Sequence, residues 1–190
     1  SFQSDELRAM RDVLTHRGPD SNGLWVQQVA DLRVGFAHQR LSILDHEGGH
    51  QPMVTPDENF AVVFNGQIYN HLELREELKA AGYVFQSHHS DTEILLHGYA
   101  HWGTQLLPKL NGMFAFAILN RHSHKLLIAR GPMGQKPLYV AQRGFFAGPQ
   151  EQTPLLAFSS ELKALTQHPL TRPTINEISV GRYLAFDFVP

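Results

Sequence analysis

The chain contains no cysteine among its 190 residues, so it supplies no disulfide and no thiolate ligand for a metal. A formal net charge of −2 gives no reason to expect binding to nucleic acid or to an anionic membrane surface. No apolar run approaches the ~20 residues that a membrane-spanning helix needs, and no signal-peptide pattern opens the sequence. We therefore expect a cytoplasmic protein that binds neither a membrane nor nucleic acid.

Hydrophobic residues make up 42% and charged residues 18% of the chain, a balance typical of globular proteins. A chain of this length can bury a sizeable core as one domain, which we place at residues 1–190. Apolar periodicity predicts helices at residues 6–14, 71–81, 93–102 and 161–165, and strands at 24–29, 32–38, 61–64, 113–119, 125–130, 137–140 and 156–159. Strand pairs with capped helices predict an α+β fold of antiparallel sheets covered by helices.

The apolar run at residues 61–64 ends on the pair Asn65–Gly66. On local rules this pair predicts a hairpin turn. However, residues 71–78 have the period of a helix rather than of a returning strand. A strand that ends on Asn-Gly before a helix offers an amide side chain and an unhindered backbone N–H at one point. Such a pair can stabilise a developing oxyanion, so the turn and the oxyanion interpretations both remain open.

Three further sites have a functional and a structural interpretation each. Arg40 can bind a carboxylate in a bidentate manner, or it can be a solvated arginine at a strand edge. Asp91 can accept hydrogen bonds from the ammonium group of a ligand, or Ser90 or Asp91 can cap the next helix. Glu93, His97 and His101 share a helix face with i, i+4 spacing. Because the zincin pattern His-Glu-x-x-His is absent, we favour surface or boundary histidines over a metal site.

Eight motifs, taken in order, resemble the class II glutamine amidotransferase domain of the glutamine-hydrolysing asparagine synthetases and their bacterial relatives. They are HRGPD at 16–20, HQRLSILD at 38–45, GGHQPM at 48–53, FNGQIYN at 64–70, SDTE at 90–93, LNGMFAF at 110–116, the segment 129–139 ending in GQKPLY, and SSELKAL at 159–165. The resemblance covers nearly the whole chain. The run at residues 183–190 is similar to the one that leads into the family's ATP-dependent synthetase domain, which we expect to be missing here.

The resemblance implies an N-terminal-nucleophile hydrolase fold, a four-layer α/β/β/α sandwich of two antiparallel sheets flanked by helices. It implies that an N-terminal cysteine attacks the side-chain amide of L-glutamine, with its own α-amino group as base. The residues at the family's positions take the following roles. Asn65 and Gly66 form the oxyanion hole, Arg40 binds the substrate carboxylate, the backbone of Leu41, Ser42, Ile43 and Leu44 lines the pocket, and Asp91 and Gln67 lie at the substrate ammonium group.

Two departures from the family pattern affect the functional prediction. We expect the strand that carries the nucleophilic cysteine to be missing, and Ser1 lies too close to the first helix to replace it. Gln67 stands where the family usually has glutamate, so a carboxylate near the substrate ammonium group becomes a neutral amide.

Two hypotheses about the parent protein follow. In the first, the chain is the glutaminase domain of an asparagine-synthetase-like amidotransferase, inactive by itself, whose partner is the C-terminal synthetase domain of the same parent chain. In the second, it is a degenerate, non-catalytic domain that supports that synthetase domain. The resemblance implies ATP and Mg²⁺ in the synthetase domain and no cofactor or metal in this one. It leaves a homodimer open.

Overall fold

Helices and antiparallel strands make up the computed structural model, which describes residues 4–41, 49–87, 89–143, 154–171 and 174–188. In these ranges the α-helices are α1 (Ser4–Asp12), α2 (His71–Ala80), α3 (Asp91–Trp102), α4 (Leu162–Leu165) and α5 (Glu177–Phe186). The strands are β1 (Ser21–Val29), β2 (Leu32–Arg40), β3 (Met53–Val54), β4 (Phe60–Ile68), β5 (Gly112–Asn120), β6 (Lys125–Arg130), β7 (Tyr139–Arg143) and β8 (Leu155–Ser159). Short 3₁₀ helices occupy Thr15–Arg17, Gly103–Lys109 and Pro169–Thr171. No helix in the described ranges is long and apolar enough to cross a membrane.

The central sheet has four antiparallel strands in the order β3-β4-β5-β6. In it, Phe64 of β4 lies opposite Phe116 of β5, while β3 pairs only with Ala61 and Val62 of β4. Two hairpins, β1–β2 and β7–β8, form separate two-stranded sheets. Because β3 is so short, the edge of β4 that faces it is paired with a strand of the described ranges only at Ala61 and Val62. We call the rest of this edge, residues 63–68, the strand-free edge of β4.

The two faces of β4 pack against different layers, since side chains alternate along a strand. Val62, Phe64 and Ile68 belong to a core cluster that also contains side chains of α2 and α3. Ala61 and Val63 belong to a second cluster, which includes Val29 and Phe36 of the β1–β2 hairpin together with Ala117 and Leu119 of β5, and against which Phe158 of β8 packs. The central sheet therefore lies between a helical layer and a second β layer formed by the two hairpins.

Helices α1 and α4 cover the outer side of that second β layer. Helix α1 contacts β2 and α4, and α4 contacts β8. The order of layers is thus α2–α3, central sheet, hairpins, α1–α4, as each apolar sheet face requires a cover. This confirms the predicted α+β fold and the four-layer α/β/β/α sandwich.

The prediction that the strand at 61–64 stops before Asn65 is wrong. Strand β4 continues through Asn65 and Gly66 to Ile68, in register with β5. Gly66 permits this because a Cβ at that position would lie 2.1 Å from the carbonyl oxygen of Met113, and because its φ of +155° is one that side chains rarely adopt. The close approach of β5 outweighs the local turn preference of Asn-Gly, so the hairpin-turn interpretation is also wrong.

The other predicted elements agree with the structure to within about three residues at most ends. The hairpin predicted at 113–119 and 125–130 is β5–β6, and the pairs predicted at 24–38 and at 137–159 are β1–β2 and β7–β8. Helix α5 was not predicted. It exposes large apolar side chains, among them Ile178, Tyr183 and Leu184.

Candidate active site

A cavity of about 1020 Å³ lies between the two β layers. Six of the predicted site residues border it: Arg40, Leu41, Asn65, Gly66, Gln67 and Asp91. Its walls also include apolar side chains of both layers, such as Phe36 and Phe158. The predicted residues Ser42, Ile43 and Leu44 lie outside the described residues. A mostly apolar cavity with a few convergent polar groups is the usual form of a small-molecule site.

The side chain of Asn65 points toward this cavity. Along β4 it follows Ala61 and Val63 at a period of two, so it lies on the same face, which packs against the hairpin layer. Its Nδ2 atom is buried and makes no hydrogen bond to any described residue. A buried amide donor without a partner is costly, which makes Nδ2 available for an acceptor on a ligand in the cavity.

Side chains occupy the strand-free edge of β4 on both sides of Gly66. The N–H of Phe64 donates to Oε1 of Gln51 at 2.6 Å, and the N–H of Ile68 donates to Oδ2 of Asp91 at 3.0 Å. Because backbone N–H groups alternate in direction along an antiparallel strand, the N–H of Gly66 faces this same edge. Gly66 is therefore placed as a second donor beside the Asn65 amide.

Arg40 is buried, with 7% of its surface exposed, so its interpretation as a solvated edge arginine is wrong. It follows Phe36 and His38 at a period of two on β2 and therefore faces the inter-layer space with them. Its carbonyl oxygen accepts the N–H of Asp20 at 3.1 Å, which fixes the end of the strand. A guanidinium at the cavity border can bind a carboxylate in a bidentate manner.

Asp91 is the first residue of α3, and Ser90 occupies the N-cap position without a side-chain cap bond. The carboxylate of Asp91 accepts the N–H of Ile68 in β4, and the backbone N–H groups of Asp91 and Thr92 at the start of α3 also favour its charged form. Its roles as a helix cap and as a partner for a ligand ammonium group both stay predictions. Burial raises the pKa of Asp91 above its usual value, against the opposing effect of the Ile68 hydrogen bond. A cation in the cavity would favour the charged form of this carboxylate.

His38 is a site residue that the sequence analysis missed. Its Nε2–H donates to the carbonyl oxygen of Phe64 at 3.0 Å, and its Nδ1 is buried with no partner in the described ranges. Burial lowers the pKa of His38 to about 4, with a further contribution from the positive charge of Arg40. The ring is therefore neutral near pH 7. The signal available in the sequence was its period-two spacing from Phe36 and Arg40.

A buried ionic network holds the loop that leads into Asp91. Glu93 accepts the N–H groups of Gln86 at 2.7 Å and Ser87 at 2.9 Å and the hydroxyl of Ser87. Arg75 donates to the carbonyl oxygen of Ser87 at 2.8 Å and lies 3.8 Å from Glu93. Burial opposes ionisation of Glu93, but hydrogen bonds from His97, Ser87 and Gln86 lower its pKa to about 2.

The same network bears on the metal alternative for Glu93, His97 and His101. The carboxylate of Glu93 accepts hydrogen bonds from Gln86 and Ser87. The centroid of the His97 ring lies 5.3 Å from that of Tyr83 and 4.8 Å from that of Phe85. No three His, Cys, Asp or Glu residues of the described ranges group together in a way that could hold a metal ion.

The cavity thus presents a cation, an anion and a pair of amide donors. These groups complement a small zwitterion that carries a carbonyl oxygen on its side chain. The amide donors are suited to an oxygen on which negative charge develops during acyl transfer.

Comparisons with known proteins give a consistent result. The model of the glutamine amidotransferase domain family matches residues 1–190. The chain is 40% identical over 191 residues to asparagine synthetase [glutamine-hydrolyzing] 1 of Bacillus subtilis, a match that covers 99% of the chain and 27% of that protein. It is 46% identical over 136 residues to a putative asparagine synthetase [glutamine-hydrolyzing] of Mycobacterium tuberculosis, a match that covers 68% of the chain and 21% of that protein. The chain therefore spans about a quarter of the length of these relatives.

Among solved structures, the chain is similar to glutamine phosphoribosylpyrophosphate amidotransferase from B. subtilis complexed with ADP and GMP. The TM-score is 0.57 at 20% identity, and the match covers 84% of the chain and 39% of that protein. At this identity the likeness concerns the fold alone.

Proposed function

We propose, from the premise that this chain belongs to the glutamine amidotransferase domain family, that its parent protein hydrolyses L-glutamine to glutamate and ammonia. The observation that carries the proposal is that two hydrogen-bond donors, the Asn65 amide and the Gly66 N–H, lie side by side at a cavity. Arg40 and Asp91 border the same cavity. The names of the relatives from B. subtilis and M. tuberculosis, which describe glutamine-hydrolysing asparagine synthetases, support the same reaction.

The charges around the cavity support one placement of glutamine in the proposed site. Arg40 binds the α-carboxylate through a charge-assisted pair. Asp91 accepts hydrogen bonds from the α-ammonium group, with Gln67 beside it. The side-chain carbonyl oxygen then lies at Asn65 and Gly66, which stabilise the oxyanion that forms on attack. The backbone of residues 41–44 lines the pocket next to Arg40.

The attacking group is a thiol that this chain does not contain, since it has no cysteine. In the proposed reaction an N-terminal cysteine of the parent protein attacks the amide carbon, and its own α-amino group takes the thiol proton and delivers it to the leaving ammonia. Water then cleaves the glutamyl thioester and releases glutamate. In this proposal the segment that carries the cysteine lies in the cavity between the two β layers, beside Asn65 and Gly66.

The ammonia is used by a synthetase domain in the remaining three quarters of the parent protein. That domain requires ATP and Mg²⁺, whereas the amidotransferase step described above uses neither. The acceptor of the ammonia is aspartate if the parent follows the relatives named as asparagine synthetases.

A second function is favoured by one observation, the neutral Gln67 at the cavity border. Loss of a carboxylate there removes a charge-assisted bond to the substrate, worth ~1.5–3 kcal/mol. In a parent protein that has also lost the cysteine, the domain is non-catalytic and supports the synthetase domain.

The test measures glutamate release from glutamine by the complete parent protein. We expect hydrolysis, and we expect Asn65→Ala to slow it by ~10²–10³-fold. The matched control is Asn22→Ala, an exposed asparagine that bonds to Arg11 at the surface, which should leave the rate unchanged. Complete protein with an intact N-terminus that releases no glutamate would rule out the first function and leave the second.

A further inference from the structure

Side chains bind the strand-free edge of β4 at Phe64, the residue that precedes the candidate oxyanion hole. Strand β3 pairs with β4 only at Ala61 and Val62. Two positions further on, Gln51 accepts the N–H of Phe64 at 2.6 Å, and His38 donates to the carbonyl oxygen of Phe64 at 3.0 Å. Both backbone polar groups of Phe64 are thus bound as a neighbouring strand would bind them.

We propose that His38 and Gln51 are positioning residues of the oxyanion hole. By binding both polar groups of Phe64, they hold the backbone that leads into Asn65 and Gly66, and so aim the Asn65 amide and the Gly66 N–H at the cavity. The proposal rests on the proposed function, since it concerns the same site, but the contacts on which it is built are independent of the reaction.

The geometry explains why such support is needed. The peptide between Phe64 and Asn65 has its carbonyl oxygen on the strand-free edge, while Asn65 pairs with Ala115 of β5 on the other side. Without His38 and Gln51 the polar groups of Phe64 would be left unbonded at a largely enclosed edge, a costly state that is relieved by rotation of the peptide or by entry of water. Rotation of this peptide withdraws the N–H of Asn65 from β5 and so weakens the pairing with Ala115 that orients the Asn65 side chain.

His38 and Gln51 come from different parts of the fold, so their bonds to Phe64 fix the position of β4 relative to both parts. His38 belongs to β2 in the hairpin layer, and Gln51 precedes β3 in the central sheet. The side-chain amide of Gln51 also lies 3.4 Å from the hydroxyl of Thr92, the neighbour of Asp91 in α3. The edge of β4 is therefore tied to the layer that carries Arg40 and to the helix that carries Asp91.

The first experiment is steady-state glutamine hydrolysis by the complete parent protein. We expect His38→Ala and Gln51→Ala each to lower kcat by about tenfold or more, with KM for glutamine changed less than twofold because Arg40 and Asp91 are untouched. His38→Gln retains an N–H donor and should recover most of the loss. In an Asn65→Ala background, His38→Ala should lower kcat threefold at most, since His38 acts through Asn65.

The second experiment needs no turnover. Amide hydrogen exchange in the same protein should show the Phe64 N–H exchanging about tenfold faster in Gln51→Ala. Gln51→Glu, which retains an acceptor oxygen, is the matched control and should keep most of the protection. If His38→Ala does not fold, kcat and Phe64 exchange are both measured in Gln51→Ala, which should fold because Gln51 is only partly buried.

The outcomes separate this inference from the proposed function. Unchanged Phe64 exchange in Gln51→Ala overturns the inference, as does a rise in KM at constant kcat, or an unchanged kcat despite faster exchange. Parent protein that hydrolyses no glutamine, with faster Phe64 exchange in Gln51→Ala, overturns the proposed function while the contact at Phe64 stands.

Discussion

Neutral His38 makes the stability of this protein depend on pH between 7 and 5. Burial and the Arg40 charge lower the pKa of its ring from 6.5 to about 4. In that interval the unfolded chain binds a proton at this position and the folded chain does not, so acidification favours unfolding. The stabilisation is fully present above pH 6.5 and is lost as the pH falls toward 4. From the two pKa values, the free energy of unfolding falls by about 2 kcal/mol between pH 7 and pH 5 because of His38.

Other groups with shifted pKa values act outside this window or in the opposite direction. Glu93 and Glu161, both with a pKa lowered to about 2, lose their contributions only below about pH 4.5. Asp91, whose pKa is raised by burial, favours the folded state on acidification. Since all three are also present in a His38 variant, the difference between variant and wild type isolates the histidine.

The assay is urea unfolding at pH 7 and pH 5. The free energy of unfolding of the wild-type protein should fall by about 2 kcal/mol more between these pH values than that of His38→Gln. The glutamine keeps a donor for Phe64 but does not titrate. His122→Gln, at an exposed turn, is the control and should behave like wild type. An equal loss of stability in His38→Gln and wild type would refute the assignment of a buried neutral imidazole.

Three further predictions concern single residues. Gly66→Ala should lower stability by ~1–3 kcal/mol or more in thermal unfolding, because its Cβ collides with β5. Gly181→Ala, in α5 with no atom within 4 Å of the new Cβ, should instead raise stability by ~0.5–1 kcal/mol, and a similar loss in both would contradict the close-approach argument. Glu93→Gln should lower the free energy of unfolding by ~3–5 kcal/mol because it leaves the buried cation of Arg75 without its carboxylate. The control Glu76→Gln, in an exposed pair with Lys79, should change it by under ~1 kcal/mol. Gln67→Glu in the complete parent protein should lower KM for glutamine by roughly tenfold, and an unchanged KM would mean that Gln67 does not lie at the substrate ammonium group.

Local sequence rules sufficed for the elements whose signals are short-range. The turn at residues 120–124 between two apolar runs predicted the β5–β6 hairpin with the correct end of β6. Gly82 after an amphipathic run predicted the end of α2, which is capped at Ala81. These signals depend on backbone preferences and on the period of apolar residues, and both are properties of a few neighbouring residues.

The side chains named from the sequence border the cavity, but their surroundings differ from the predicted ones. Asn65–Gly66 was expected at the end of a strand, and Arg40 had a solvated edge arginine as its alternative. In the structure the first pair lies inside β4 and the second residue is buried. Both differences arise from β5 and the hairpin layer, which are distant in the chain and have no signal in the local pattern.

By itself, then, the sequence determined the α+β class, the hairpins and, through its motifs, the family. It also named Arg40, Asn65, Gly66 and Asp91 as candidate site residues, which all border the cavity. Only the tertiary structure decided that no described strand pairs with the edge of β4 past Val62 and that His38 and Gln51 bind this edge at Phe64. The physical reason is that hydrogen bonding at a sheet edge depends on which segments reach it in space. Residues 38, 51 and 64 meet only after two β layers have packed against each other.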